Sequence, residues 1–134
     1  MTIEEGLVAH LRWYDAEVAA LVGQTKIYAG YVPEEVTTPA LAYELTSQDR
    51  GMSHSGPTGL VVSDLAVYCL SHGAETYATA KALGDTVRAA VEYPTQRWGD
   101  VPISRVHATV SGGVWNQDTQ DWMVTVTVAV NHMG

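Results

Sequence analysis

The residues of this sequence that could do chemistry gather in two short stretches. "SHSGPTGL", Ser53 to Leu60, sets His54 beside Ser55 with Asp49 close upstream. Serine, histidine and aspartate are the residue types of a nucleophilic triad, in which a base takes the hydroxyl proton and a carboxylate orients the base. That chemistry requires a positioned geometry and an oxyanion site, which neighbours in a bend do not supply, and the G-x-S-x-G elbow is absent. A phosphate loop fares no better. "GPTG" lacks the lysine of a P-loop, and the residues after it alternate like a strand instead of opening a helix whose N-terminus could hold an anion. Turn chemistry accounts for Gly56, Pro57 and Gly59 without further assumption.

The second stretch, "HGAE", places His72 and Glu75 three apart at an expected helix start, a spacing that can bind a metal. Two ligands do not make a site, and Glu75 is already suited to the positive end of the helix dipole. His10, His107 and His132 fall on separate elements and read as exposed or hydrogen-bonded structural histidines. Cys69 is the sole cysteine, so an intrachain disulfide and a cysteine-based zinc site are excluded. On the apolar face of a strand it is a small buried hydrophobe rather than a nucleophile, and its reduced state fits a cytoplasm. No catalytic, cofactor or metal residues are assigned.

The elements that would position these side chains follow from composition and period. The chain has 134 residues, 46% hydrophobic and 16% charged, which fits one globular domain over 1–134. A net charge of −8 with only seven Lys and Arg excludes phosphate-based nucleic-acid binding, which needs clustered basic residues. Met1 leads into Thr2, Glu4 and Glu5 rather than a signal sequence, and no apolar run approaches the roughly 18 residues of a membrane span. A soluble, non-secreted product is expected.

"TIEEGLVAHLRWYDAEVAALVG" carries Ile3, Leu7, Leu11, Tyr14, Val18 and Leu21 at helical spacing. Thr2 and Glu5 form a capping box, Gly23 is a fitting stop, and with a break near Trp13 to Asp15 the segment reads as a helical hairpin or one bent helix. Gly30, Pro33 and Pro39 then leave room only for an extended segment or short strand near Lys26 to Tyr28. "ALAYELTS" alternates as a half-buried strand. "LVVSDLAVYCLS" is a longer strand with Val61, Leu65, Val67 and Cys69 on one face and Val62, Asp64, Ala66, Tyr68 and Leu70 on the other, so both faces are expected to be covered.

Ser71 is the expected cap of a second helix whose small inward stripe is Thr76, Ala80, Leu83, Val87 and Ala90 or Val91. Gly84 costs such a helix up to about 1 kcal/mol relative to Ala unless a close approach explains it. Strands are expected at Ile103 to Ser111 and at Asp121 to His132, joined by a long hairpin loop. Trp122 belongs to the core, whereas Trp98 and Trp115 fall in loops, where exposed aromatics mark contacts with another protein. A satellite cluster over the sheet edge is the alternative. The order predicts an α+β fold, a mainly antiparallel β-sheet with two helices packed on one face and long β-hairpin loops.

Taken together, "IEEGLVAHL", "LVGQTKIYAGYVP", "PALAYEL", "SGPTGLVVSDLAVYC", "AETYATAKALGDTVRAAV" and "DTQDWMVTVTVAV" resemble the tail-completion, or tail terminator, family of long-tailed bacteriophages over nearly the whole chain. The most specific pieces are the Ser-Gly-Pro-x-Gly bend at Ser55 to Gly59 and the helix containing "AKALGDTVRAAV". None is a catalytic signature.

The resemblance implies a structural virion protein, assembled in the host cytoplasm, whose copies form a homo-oligomeric ring, usually a hexamer, at the head-proximal end of the tail tube. Such a ring ends polymerisation of the tube protein and joins the tail to head-completion or connector proteins, without cofactor, metal or membrane. The expected loops Gln48 to Gly59 and Gly112 to Asp121 then become candidate contacts, through Asp49, Arg50, Met52, His54, Pro57, Trp98, Trp115 and Asp118. DNA would pass through without specific binding, repelled if acidic residues such as Glu34, Glu35, Asp64 and Asp121 line the lumen. His54, Thr58 and the loop with Trp115 depart from the family pattern, which leaves partner identity open. Another minor tail or head-tail connector protein of the same fold, a monomeric binding module, and a small-molecule or metal-binding enzyme using His72 and Glu75 are the alternatives.

Overall fold

The computed structural model of the chain describes residues 2–13, 27–32, 39–53, 56–93, 95 and 97–133. Seven strands form one sheet: β1 (Ile27–Ala29), β2 (Ala40–Ser53), β3 (Gly56–His72), β4 (Arg97–Trp98), β5 (Val101–Val110), β6 (Val114–Asn116) and β7 (Asp121–Met133). Their order is β1-β2-β3-β7-β5-β4, with β6 continuing the β5 side of β7. Every pairing is antiparallel except β1 with β2. Helices α1 (Ile3–Trp13) and α2 (Tyr77–Glu92), the latter preceded by a 3-10 turn at Ala74–Thr76, share one core with a single face of the sheet. The α+β arrangement is as the sequence predicts.

The β3–β7 ladder runs without a register break from Leu60↔Met133 to His72↔Asp121. Side chains alternate across a strand, so Leu65, Val67 and Cys69 meet Val128, Val126 and Val124 on one face, all fully buried. Leu41 and Ala108 extend that layer into β2 and β5. Each fully buried aliphatic side chain contributes about 1.5–3 kcal/mol, so this layer dominates the cohesion of the sheet.

The helices cover the layer by different means. In α1, the Thr2 hydroxyl accepts from the Glu5 N–H at 3.2 Å while the Glu5 carboxylate accepts from the Thr2 N–H at 3.1 Å, the reciprocal capping box expected. These donors, and the Thr2 hydroxyl with them, hold the Glu5 carboxyl below the usual carboxylate range. Its contribution is therefore present above the ordinary carboxylate pKa and fades as pH falls through the lowered value. Ile3, Leu7 and Leu11 are buried, as is His10, whose Nε2–H donates to the Ala90 carbonyl at 2.7 Å and joins α1 to α2.

In α2, Ala80, Leu83, Val87, Ala90 and Val91 are buried, matching the inward stripe. A Cβ on Gly84 would stand 2.7 Å from Val124 Cγ1 and 3.3 Å from Val110 Cγ1. The close approach explains the glycine.

Three expectations are corrected. The stretch Gln48 to Gly59 is not a long loop: β2 and β3 stay paired out to Ser53↔Gly56, so only His54 and Ser55 lie between the strands, outside the described residues. Pro57 pairs with Met52 at the start of β3, where a missing N–H is tolerated. Ser71 does not cap α2, because the β3–β7 ladder takes it and His72; Thr76 occupies the cap position without a side-chain cap bond.

Trp98 is not exposed in a loop but fully buried in β4, stacked on His10 at 5.5 Å between ring centroids. A Cβ on Gly6 would stand 2.8 Å from the Trp98 carbonyl oxygen, so α1 lies directly on this strand. The indole Nε1 has no hydrogen-bond partner, and packing alone holds the ring. The outer face of β3 carries neither described helix, yet it is partly covered as expected: Ala66 is buried and Asp64, Tyr68 and Leu70 half-buried, and Val62 alone is exposed, at 44%. The expected second helical segment after Trp13, and Gln24 to Lys26, fall outside the described residues.

Gly84→Ala supplies a direct test of the α2 contact. In an open helix this change gains about 1 kcal/mol; here the added methyl meets a stiff valine on a central strand, and overpacking of this kind costs about 1–3 kcal/mol. A fall in Tm of several degrees is expected by thermal denaturation, and a rise would show that the helix does not rest on Val124.

Candidate functional site

The residues that suggested a nucleophilic site do not assemble one among the described residues. Asp49 is exposed on β2, and His54 and Ser55 lie outside the described residues. His72 is engaged by Asp121, its Nδ1 3.0 Å from the carboxylate, across the last pair of the β3–β7 ladder. Among the described residues no group of three or more His, Cys, Asp or Glu is placed to hold a metal. Burial pushes the Cys69 thiol up to about 12, so the thiolate is scarce at neutral pH.

One serine–histidine contact does form, at Ser63 and His132. His132 Nδ1 lies 2.9 Å from the Met133 carbonyl, which can only accept, so Nδ1 carries the proton. Its Nε2 then accepts from the Ser63 hydroxyl at 2.7 Å, and Gln48 Nε2–H donates to the same Oγ at 3.1 Å. Nucleophile, base and orienting group stand in the order of a hydrolase, yet Ser63 is fully buried and His132 nearly so. The chain of hydrogen bonds satisfies polar groups inside the sheet–helix layer. The alternation of β3 and β7 carries this signal, since both positions continue the inward set.

What the described residues present instead is two hairpin ends and one sheet face that carries neither described helix. Because β3 and β7 run antiparallel, the β2–β3 hairpin tip at Ser53/Gly56 and the β6–β7 turn at residues 117–120 lie at opposite ends of the sheet. The first tip extends past Leu60, the last β3 residue paired with β7.

The second end is tied down by many bonds. Asn116 Oδ1 accepts from the Asp118 N–H at 3.0 Å, and Gln120 takes φ of 61°, closing the turn. The Gln120 carbonyl accepts from the Gly73 N–H at 2.8 Å, and the Trp122 indole donates to the Ala74 carbonyl at 3.0 Å. Trp115 is half-buried against Trp122, 5.3 Å between centroids, and Tyr77 meets Trp122 edge-on at 4.9 Å. Trp115, Trp122 and Tyr77 thus form an aromatic cluster at this end of the sheet. Asp118 stays exposed at the tip.

Between the two ends lies the outer sheet face. Across it the register aligns Asp49–Val62–Asn131–Arg105 in one row and Ser47–Asp64–Ala129–His107 in the next. At the other end Leu70, Met123 and Val114 form an apolar row beside the 117–120 turn. Of the other interaction candidates, the side chains of Arg50, Met52 and Pro57 are not described, and Glu34 and Glu35 lie outside the described residues.

Comparison with known proteins gives two findings. The family model described as Tail completion protein gp17 matches residues 5–131. Among solved structures, a chain described as "Virion of native gene transfer agent (GTA) particle" superposes with a TM-score of 0.60 at 22% identity, over 95% of this chain and 92% of that one. At that identity the likeness is one of fold. No curated protein matches the chain.

Burial of Cys69 makes it a reporter of folding. It should resist a water-soluble thiol reagent at neutral pH in the native protein and react fully in denaturant. Rapid stoichiometric labelling of the native protein would contradict the buried thiol.

Proposed function

Since the chain belongs to the tail completion protein family and is thus a structural component of the phage virion, we propose that its copies form a ring that ends the tail tube on its head-proximal side and joins tail to head-completion proteins. The carrying observation is the pair of hairpin ends at opposite poles of one sheet. A joining protein must touch two different bodies at once. Here the β3 strand between the poles has 17 residues, which at about 3.3 Å each spans roughly 55 Å. One pole is a paired ribbon; the other is a turn braced by the Trp115–Trp122–Tyr77 cluster.

Ring formation fits a face left open by both described helices, and six copies is the number that resemblance to the family suggests. The net charge of −8 suits a passage for DNA that does not hold it, since phosphate is repelled by an acidic surface. Stopping the tube and bridging to the head need no bond-making chemistry, in keeping with the sealed state of Ser63, His132 and Cys69.

Electron microscopy of particles made without this protein tests the role. Overlong tails, or tails unattached to heads, are expected; tails of normal length joined to full heads would overturn it.

A further inference from the structure

The outer face of the sheet carries its charges in an ordered way. On the β2 side stand Glu44, Asp49 and Asp64; on the β5 side stand Arg105 and His107. Glu44, Asp49, Arg105 and His107 are exposed, and Val62 between the two groups is 44% exposed. Two of the acids are held in place: Tyr68 donates its hydroxyl to Glu44, and Ser47 donates to Asp64 at 2.7 Å. Fixing charged groups before contact lowers the entropy lost on binding. Arg105 has no carboxylate partner among the described residues, whereas Lys81 and Arg88 on α2 are each paired within their helix.

The acidic β2 side and the basic β5 side are separate patches toward opposite edges of the sheet, so the acidic side of one copy can meet the basic side of the next while its own basic side stays free for a third. Like sides are kept apart, because carboxylates of an already acidic chain repel. We propose that a second copy of this chain docks here, the β2-side carboxylates of one subunit against Arg105 and His107 of the next. The proposal rests on the ring reading given above. It deepens it by naming the contact, which must be head-to-tail, since a same-patch contact gives a closed pair and no ring.

The test measures assembly of the full-length chain by sedimentation, alone and with tube protein, together with its incorporation into tails. Arg105→Glu should weaken ring formation at least about tenfold, as charge reversal at a complementary contact does. Raising salt should weaken the wild-type ring. Combining Arg105→Glu with Glu44→Lys and Asp49→Lys should restore much of the assembly lost by Arg105→Glu alone, because the introduced glutamate then faces lysines in place of the exposed β2 carboxylates.

Arg88→Glu makes the same change of charge on the helical side and should leave assembly unaltered. Unchanged melting curves separate loss of contact from loss of fold. Wild-type rings untouched by Arg105→Glu, or a two-copy limit for the wild type, would overturn this contact; in the first case the ring itself stands. Tails that contain no ring of this protein would overturn the ring reading and the contact with it.

Discussion

The structure depends on one uninterrupted ladder. Between Leu60↔Met133 and His72↔Asp121 the two longest-paired strands exchange hydrogen bonds without a bulge, so the alternation of side chains never slips. A shift by one residue would turn Val124, Val126, Val128 and Val130 outward together and bring Thr125 and Thr127 in. Everything else is hung on that register. β2 and β5 take their places from it, α2 settles against the valine layer where Gly84 leaves room, and α1 reaches the same core through Trp98 and the His10–Ala90 bond.

The flanking strands can be irregular because the centre is not. β2 shifts register between Leu45 and Ser47 and again between Arg50 and Met52, and β5 between Ile103 and Arg105. Bulges of this kind twist an edge away from unwanted pairing. On the β5 edge the Glu92 carboxylate, at the end of α2, accepts from the Ala108 N–H at 3.0 Å and occupies a donor that another strand would otherwise seek. These features discourage strand-to-strand addition at the edges, whereas Glu44, Asp49, Val62, Arg105 and His107 on the outer face are exposed.

What the sequence revealed depended on whether the signal was local. β7, the inward stripe of α2 and the Thr2–Glu5 capping box were legible, because each is written in the period or spacing of its own residues. The stretch Gln48 to Gly59 misled, since glycines and a proline carry turn propensity, whereas pairing with the opposite strand decides where a hairpin ends. Ser71 misled for the same reason: a good cap residue was claimed by Trp122 across the ladder. Trp98, in a connection rich in turn residues, gave no period to read, and only the fold shows that α1 and His10 enclose it. Glu44 and Arg105 share a face only once β2, β3, β7 and β5 are aligned.

The two hairpin ends also fix how the subunit answers to mechanical load. A pull between the Ser53/Gly56 tip and the turn at residues 117–120 acts along the strands, while the interstrand hydrogen bonds lie perpendicular to them. Such a pull shears the β3–β7 ladder as a whole, with its bonds strained together rather than unzipped one after another. The strands best packed in the core are those that would carry tension, and the helices, attached to one face, would travel with them.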